Sequence, residues 1–559
     1  MRYSELAEVC DALESTQSKI KKAETIAEFL HKTKTAREVV LLLTGRVFPS
    51  YDQRELGIAE QTMMKIIGKA SGFSAADIEK MFAKKGDLGL VAEGVLEKKR
   101  QRTLSPKQLT VEKIFENLRK LPSVTGSSSQ ERRQELVGEL LAAATPLEAR
   151  YLVRTVLSDL RIGVAEGILR DAIAAAYFGK GKEEKKEATE AVDYAWNILS
   201  DFGEVAEIAR EDGVRGLRAV RPALGKPVQV MLGLAVDKIE DVIKEHGRVA
   251  IEMKYDGMRA QIHKKGDKVW VFTRRLEDVT HQFPDIAEFA KSSLKPKECI
   301  VEGEAWAVLN GKPQPFQLLS QRIQRKYDIE KLVREVPVQV NLFDIVFVDG
   351  EILLDKPLTE RRAILEKSVR ELPNKFVVAE QLVTDDVKKA DAFYRRALEM
   401  AQEGVMLKAL DSPYVFGRHV GGWYKVKPIM ETLDLVIVGA TWGEGKRARW
   451  LSSYVLACRD ADRLVECGML STGLTEEQYA EMTKTLKPLI ETEKGKSVSL
   501  KPRVVIEAGY QEIQRSPTYS SGYALRFPRL VRVRADKGPK DADDLKRVAA
   551  LFESQGRRG

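Results

Sequence analysis

The sequence predicts a multidomain protein with an all-α N-terminal domain, a central α+β domain built on antiparallel sheet, and a C-terminal β-rich domain. The chain of 559 residues is too long for a single hydrophobic core. Helical periodicity fills its first part, whereas short strand-like segments separated by turn residues fill most of the remainder. These changes of pattern predict domain bounds at residues 1–222, 223–428 and 429–559.

The N-terminal part carries strong helix-start signals. Thr145 is followed by Pro146 and, three residues on, by Glu148, the pattern of a capping box with proline in the first turn. Apolar residues then recur at helical spacing as far as Leu160. Loops are predicted at residues 123–129, which are rich in Ser and Gly, and at residues 179–186, a mixed run of charges that favours a solvated connector.

The central part alternates strands with helices. Strands are predicted at residues 248–251, 269–272, 299–301, 338–348 and 405–407, with hairpin turns at Asn310-Gly311 and Asp349-Gly350. After residue 428, a strand at 433–439 opens a β-rich segment that also contains a predicted helix at 476–489. This strand and helix content suits a small barrel such as an OB-fold, and residues 541–552 predict a final helix.

Composition limits the classes of function. The net charge of +9, from 92 basic and 83 acidic residues, allows a polyanionic partner, although richness in Lys and Glu is also typical of thermophilic proteins. The four cysteines form no CxxC pair, so neither a zinc site nor a disulfide framework is indicated, and a reducing cytoplasm fits. No apolar run is long enough for a signal peptide or a membrane span, so a cytoplasmic protein is expected.

The most informative segment is KYDGMR at residues 254–259. Apolar alternation on both sides predicts two half-buried strands, with Lys254 at a strand end and Asp256-Gly257 in the turn. A lysine whose pKa is depressed by desolvation or nearby cations can act as a nucleophile, because only the neutral amine attacks. By itself the segment is more typical of a hairpin turn with a solvated lysine.

Further charged and aromatic residues recur at later strand ends. They are Thr273-Arg274, Glu302-Gly303-Glu304, Phe343-Asp344, residues 403–408 (EGVMLK) and residues 423–427 (WYKVK). Taken singly, each of these residues has a purely structural explanation: an exposed acidic residue in a turn, an aromatic residue of the core, or a lysine on the solvent-exposed face of an edge strand. Together and in this order they supply the cations and carboxylates that a nucleoside triphosphate site needs.

These segments resemble the ordered motifs of the covalent nucleotidyltransferases. The resemblance includes TRRLEDVT at 273–280, VEGEAW at 301–306 and LFDIVF at 342–347. RFPRLVRVRADK at 526–537 resembles the last motif of ATP-dependent DNA ligases of the archaeal and eukaryotic replicative type. LRIGVAEGILRDAI at 160–173 resembles their helical DNA-binding domain, which capping enzymes and short RNA ligases lack. A four-cysteine zinc module, typical of the bacterial NAD-dependent class, is missing from the sequence.

The resemblance implies a ligase that seals 5′-phosphate/3′-hydroxyl nicks in duplex DNA through a lysyl-AMP intermediate, in replication, repair and recombination. Lys254 would attack the α-phosphorus of ATP, and Lys425 and Lys427 would face that phosphate and lower the pKa of the nucleophile. The other implied roles are adenine-side polar contact for Glu252, adenine stacking for Phe343, ribose contact for Arg259 and Glu304, phosphate or sugar contact for Arg274, triphosphate contact for Arg418, and first-step pyrophosphate contacts for Arg526 and Arg529.

The resemblance also implies a divalent cation and further partners. Mg²⁺ or Mn²⁺ would be held by Glu304 and Glu403, whereas Asp256 could contact the nick, metal-bound water or only the turn. Gln101 and Leu104 lie in a segment that resembles a sliding-clamp motif without its aromatic anchors. A monomer is expected.

Several alternatives stay open at this point. Another lysyl-nucleotidyltransferase, such as an RNA ligase or a capping guanylyltransferase, and a DNA-binding scaffold with an inactive core are the competing functions. The sequence does not decide between ATP, ADP, GTP and NAD, nor does it give the arrangement of the domains without DNA.

Overall fold

The computed structural model describes residues 1–98, 108–179, 181–309, 312–314, 316–325, 327–417, 421–428, 432–443, 447 and 449–556. The chain forms two compact units. The first comprises Met1–Leu234, Asp256–Glu380 and Lys408–Trp423, and the second comprises Ala235–Tyr255, Gln381–Leu407 and Tyr424–Gly559. The predicted domain bounds at residues 222 and 428 stay predictions.

The N-terminal part is helical, as predicted, around a core of Leu, Ile, Val and Ala side chains. Its helices are α1 (Tyr3–Ser15), α2 (Lys19–Lys32), α3 (Ala36–Leu43), α4 (Glu60–Ser71), α5 (Ala75–Lys85), α6 (Leu88–Glu97), α7 (Val111–Lys120), α8 (Ser129–Ala143), α9 (Pro146–Val156), α10 (Glu166–Tyr177), α11 (Lys182–Leu199), α12 (Phe202–Glu211) and α13 (Gly213–Ala219).

The capping box predicted before α9 is confirmed. Thr145 Oγ1 accepts from the Glu148 N–H at 3.3 Å, and the Glu148 carboxylate accepts from the Thr145 N–H at 2.7 Å. The helix ends at Val156, so the predicted continuation to Leu160 is wrong. Ser158 and Arg161 have φ angles of 57° and 59°, and this left-handed backbone cannot continue a right-handed helix.

One predicted loop is partly wrong. Residues 182–186 were expected in a solvated connector, but they form the first turns of α11. Lys and Glu are good helix formers, and Glu183 and Glu184 lie where the helix dipole favours negative charge.

The central part contains two sheets with helices between their strands. Its elements are β1 (Leu234–Ala235), α14 (Ile239–His246), β2 (Val249–Lys254), β3 (Met258–Lys265), β4 (Lys268–Phe272), α15 (Pro284–Ser293), β5 (Glu298–Leu309), β6 (Lys312–Pro313), α16 (Phe316–Gln324), α17 (Ile329–Glu335), β7 (Val338–Val348), β8 (Glu351–Ile352), α18 (Leu358–Ser368), β9 (Phe376–Val378), β10 (Gln381–Thr384), α19 (Val387–Glu399), β11 (Gly404–Ala409) and β12 (Trp423–Val426).

The sheet that carries Lys254 has the strand order β1-β12-β11-β2-β10 and is called the Lys254 sheet. The sheet that carries Phe343 has the order β4-β3-β5-β7-β8, with β6 paired to β5 and β9 paired in parallel to β7, and is called the Phe343 sheet. The other resolved strand pairs of the Phe343 sheet are antiparallel, as predicted for this part of the chain.

The KYDGMR segment does not close a hairpin. Lys254 is the last residue of β2, as predicted, but β2 pairs with β10 and β11 whereas β3 pairs with β4 and β5. Residues 255–257 therefore link two different sheets. The predicted half-exposed alternation of β2 is also wrong, because residues 249–253 are all buried in a strand that lies inside its sheet and packs against α19.

The hairpin turn predicted at Asp349-Gly350 is confirmed. These residues join β7 to β8 with φ angles of 41° and 90°, the left-handed pair that a two-residue type I′ turn requires. The turn predicted at Asn310-Gly311 lies outside the described residues.

The C-terminal part is β-rich, as predicted for an OB-fold. Its elements are β13 (Leu433–Trp442), β14 (Leu451–Asp460), β15 (Arg463–Leu470), α20 (Glu476–Leu486), β16 (Ile490–Lys494), β17 (Ser497–Leu500), β18 (Val505–Gly509), β19 (Glu512–Arg515), β20 (Tyr523–Arg526), β21 (Arg529–Val533) and α21 (Leu545–Gly556). The long strand β13 pairs with β14, β17 and β18, and an apolar core lies beneath it. Among the described helices, none is long and apolar enough to cross a membrane.

Candidate active site

Lys254 lies at the end of a buried strand and faces a carboxylate. Its Nζ is 2.6 Å from Glu403 Oε2, and the two side chains are 23% and 25% exposed. The backbones are joined as well, because the Glu403 N–H donates to the Lys254 carbonyl at 2.9 Å. The buried strand thus fixes the base of the lysine side chain and leaves its amine accessible.

A second lysine shares the same carboxylate. Lys427 follows β12, and its Nζ is 2.5 Å from Glu403 Oε2. Burial alone would raise the pKa of Glu403, but the charges of Lys254 and Lys427 outweigh it and lower that pKa to about 2. Lys425, two residues before Lys427, has a partly exposed side chain. We call Lys254, Glu403 and Lys427 the lysine cluster.

The lysine cluster depends on a close approach of two strands at Gly404. This residue has a φ angle of 137°, and a Cβ built on it would lie 2.2 Å from the Val426 carbonyl oxygen. Only glycine accommodates both that backbone conformation and that contact. Gly404 therefore sets the spacing that lets Glu403 and Lys427 meet.

A second cluster lies in the first unit, around Arg259 of β3. Arg259 Nη2 donates to Glu302 Oε2 at 2.6 Å and to Tyr414 Oη at 3.2 Å, and Nη1 donates to the Met231 carbonyl at 2.5 Å. Burial opposes the charge of Arg259, but Glu302 raises the pKa above its ordinary value. Among the described residues, the buried Nε of Arg259 has no hydrogen-bond partner, although the side chain as a whole is only partly buried.

Aromatic rings flank this arginine. The Arg259 guanidinium carbon lies 5.3 Å from the centre of the Phe343 ring, which meets Trp423 edge to face at 5.9 Å. The buried Lys408 Nζ lies 4.7 Å from the Phe343 ring centre and 4.2 Å from that of Trp423. Phe343 itself is only partly buried, so one part of its ring is accessible to a flat ligand. We call Arg259, Glu302, Phe343, Tyr414 and Trp423 the arginine cluster.

Glu304 lies on a strand of the Phe343 sheet, and Arg274 lies in a turn that follows another strand of that sheet. Glu304 is directly opposite Arg259 in the pairing of β3 with β5. Gly257 permits this approach, since a Cβ there would lie 2.4 Å from the Ala305 carbonyl oxygen. Arg274 is exposed in the turn after β4.

The remaining predicted residues have other surroundings. Glu252, on β2, is 2% exposed and accepts from Gln381 Nε2 at 2.8 Å. Arg526 on β20 donates to Glu512 at 3.0 Å, and Arg529 begins β21 with an exposed side chain. Gln101, Leu104 and Arg418 lie outside the described residues.

Sequence reasoning missed four residues that surround Arg259 and Phe343: Glu302, Tyr414, Trp423 and Lys408. Glu302 lies in the quoted VEGEAW segment, and its separation of two from Glu304 puts both on one strand face, so period-two spacing could have indicated it. Trp423 and Lys408 also lie in quoted segments. Tyr414 follows a Ser-Pro pair in a loop, and no local pattern distinguishes it.

Comparison with known proteins agrees with this architecture. The model described as ATP dependent DNA ligase domain matches residues 230–427, that of the DNA ligase N terminus matches 2–174, and that of the ATP dependent DNA ligase C terminal region matches 447–537. The DNA ligases of Nanoarchaeum equitans and Archaeoglobus fulgidus are 45% and 44% identical, each over 99% of both chains. The DNA ligase of Thermococcus fumicolans is 45% identical over 100% of this chain and 99% of its own.

Two solved structures share the fold. Those titled Pmar-Lig_PreS3 and Pmar-Lig_Pre cover 95% of this chain and 99% of their own, with TM-scores of 0.55 and 0.57 at 17% and 16% identity. At that identity they support the fold alone, whereas the relatives matched over their whole length are more than 40% identical. The chain therefore belongs to the ATP-dependent DNA ligase family.

Proposed function

We propose that this protein is an ATP-dependent DNA ligase that seals nicks in duplex DNA through AMP carried on Lys254. The observation that carries the proposal is the lysine cluster, in which an accessible strand-end amine meets an ionised carboxylate and a second cation. The family relationship supplies the reaction, the formation of a phosphodiester bond.

Lys254 must lose a proton before it attacks. In the lysine cluster, the Glu403 carboxylate at 2.6 Å stabilises the ammonium form, which has no lone pair. In this arrangement Lys254 is therefore held in a form that cannot attack ATP. Attack requires that Glu403 be drawn away from Lys254, after which Lys427 repels the ammonium form and favours the neutral amine.

The carboxylate of Glu403 fits a hard divalent cation. It is ionised at neutral pH, because its pKa is about 2, and carboxylate oxygens are the ligands that Mg²⁺ and Mn²⁺ prefer. Within the described residues, no three His, Cys, Asp or Glu side chains form a metal-binding group. Mg²⁺ is usually bound by one or two carboxylates together with water and substrate phosphate oxygens. When bound, the cation would neutralise phosphate charge, with Glu403 as one ligand and Glu304 as the other candidate.

The arginine cluster suits the nucleoside. Phe343, which is only partly buried, would stack on the adenine base, and the Arg259 guanidinium would contact the ribose. Glu252 is proposed as an adenine-side contact, Glu304 as a second ribose contact and Arg274 as a phosphate or sugar contact. Lys425 and Lys427 would stabilise the charge that develops on the α-phosphate as pyrophosphate leaves.

The later steps transfer and then release AMP. The 5′-phosphate oxygen at the nick attacks the phosphorus of lysyl-AMP and releases Lys254, and the 3′-hydroxyl then attacks the 5′-phosphorus and expels AMP. Both steps need the DNA ends held in line, and backbone contacts that do not depend on sequence would provide this. Arg526 and Arg529 are proposed to contact pyrophosphate in the first step, and clamp binding by Gln101 and Leu104 stays a prediction.

A pulse–chase experiment tests the function. The protein is incubated with ATP labelled at the α-phosphate and Mg²⁺, freed of nucleotide, and then mixed with nicked DNA duplex or with an equivalent nicked RNA duplex. We expect label to leave the protein and a sealed strand to form with DNA. Label that is discharged only on RNA would contradict DNA ligation, and a protein that never takes up label would contradict the covalent mechanism.

A further inference from the structure

The linker between the helical part and β1 is held by buried side chains of the first unit. We call residues 225–231 the linker strap. At its start, the Gly225 N–H donates to His263 Nδ1 at 3.3 Å. Burial lowers the pKa of His263 to about 3, so the ring is neutral. Because Nδ1 accepts, Nε2 carries the proton and donates to Gln261 Oε1 at 3.0 Å.

Gln261 joins the middle of the strap to Glu302. Its Oε1 accepts from the Val228 N–H at 2.9 Å as well as from His263, and its Nε2 donates to the Val228 carbonyl at 3.1 Å and to Glu302 Oε1 at 3.3 Å. These four hydrogen bonds use the full capacity of an amide. The side chain is fully buried, so each bond lost would leave a polar group without water.

Glu302 connects Gln261 to Arg259 and Tyr414, which are other members of the arginine cluster. Its Oε2 accepts from Arg259 Nη2 and from Tyr414 Oη, each at 2.6 Å. The end of the strap meets the same two residues, since the Met231 N–H donates to Tyr414 Oη at 3.0 Å and Arg259 Nη1 donates to the Met231 carbonyl. The strap, Gln261 and Glu302 together therefore determine where Arg259 stands beside Phe343.

The other side of the strap is held by the helical part. The Gln229 N–H donates to the Asn197 carbonyl at 2.8 Å, and its side-chain amide donates to Ser200 Oγ at 3.1 Å. Lys226 forms an ion pair with Glu204 of α12 at 2.9 Å. The helical part thus contacts the strap at Lys226 and Gln229, whereas the arginine cluster contacts the end of the same strap at Met231.

We propose that Gln261 is a positioning residue that ties the linker strap to Glu302 and so holds Arg259 in place for the nucleotide. Nucleotide binding then depends on how firmly the helical part holds the strap. The inference rests on the proposed function in one respect, the contact between Arg259 and the nucleotide.

The test compares three variants by the KM for ATP and the saturating rate of self-adenylylation. Gln261→Met keeps the length of the side chain but removes its hydrogen bonds, and we expect a rise in KM of about tenfold, as for a lost hydrogen bond to a carboxylate. Gln229→Ala removes the hydrogen bond from the Gln229 side chain to Ser200, which joins the strap to the helical part, and it should raise the KM for ATP by roughly two- to threefold. The matched control is Gln339→Met, because the Gln339 amide bonds to Asn341 and not to the strap.

A purely structural role would lower the amount of active enzyme, and hence the saturating rate, without changing KM. A KM for Gln261→Met equal to that of the control variant would therefore overturn the inference, and so would a fall in saturating rate alone. Gln229→Ala changes a partly exposed side chain, so it keeps the test decisive if Gln261→Met does not fold. Failure of the wild-type protein to form an adenylyl-enzyme would instead contradict the proposed function.

Discussion

Replacement of Glu403 by Gln should make Lys254 more reactive when neither metal nor nucleotide is present. Burial opposes ionisation of Glu403, but the charges of Lys254 and Lys427 outweigh it and hold the pKa of this carboxyl at about 2. The contact of 2.6 Å between Lys254 Nζ and Glu403 Oε2 is a hydrogen bond between charged groups, of a kind that contributes about 1.5–3 kcal/mol, and it favours the ammonium form of Lys254. Since 1.4 kcal/mol is a factor of ten, Glu403→Gln should raise the neutral fraction of Lys254 about tenfold.

The assay is the rate of Lys254 modification by trinitrobenzenesulfonate at fixed pH, followed by peptide mass spectrometry. Lys356 is the internal control, because its carboxylate partners Glu351 and Glu360 are unchanged. With ATP and Mg²⁺ the sign should reverse, and Glu403→Gln should form adenylyl-enzyme more slowly because it lacks the proposed metal ligand. A Lys254 modification rate no higher in the variant than in the wild type would show that Glu403 does not hold Lys254 in its ammonium form.

The structure makes four further predictions. Gly404→Ala should slow self-adenylylation at least about tenfold, measured by label uptake, because a Cβ there must displace β12; normal uptake would contradict the role given to that spacing. Arg361→Met should cost about 3–5 kcal/mol in denaturant unfolding, because it leaves the fully buried Asp344 carboxylate without its partner, and Arg361→Met/Asp344→Leu should recover part of that loss. Phe343→Ala should raise the KM for ATP by roughly 10- to 100-fold, the range for a lost base stack, whereas an unchanged KM would remove Phe343 from the site. The lowered pKa of Glu403 gives stability that is present above pH 4.5 and is lost towards pH 2, so the difference in unfolding free energy between wild type and Glu403→Gln should shrink over that interval.

Local signals predicted the elements well. The capping box at Thr145 and the turn at Asp349-Gly350 depend on a few neighbouring residues, and both are confirmed. The strand that ends at Lys254 was also predicted, but its burial on both faces was not. Burial depends on which strands and helices pack around β2, and periodicity within one segment does not contain that information.

The residues of the candidate site were partly predictable from local sequence, but the contacts between them were not. Lys254, Glu403 and Lys427 were singled out from ordered motifs, yet the shared carboxylate and its silencing of Lys254 follow only from the pairing of β2, β11 and β12. Tyr414 and Gln261 could not be predicted, because their importance comes from bonds to distant parts of the chain such as the linker strap. Pairs of this kind are fixed by tertiary structure rather than by local spacing.

The residue to which AMP becomes attached tests the proposed role of Lys254. The protein is incubated with ATP and Mg²⁺, denatured, digested and analysed by mass spectrometry, with Lys254→Arg treated in parallel. We predict that AMP is found on the peptide that contains Lys254, joined through Nζ, and that the Lys254→Arg variant takes up none. AMP on another residue, or an adenylylated Lys254→Arg variant, would show that Lys254 is not the nucleophile.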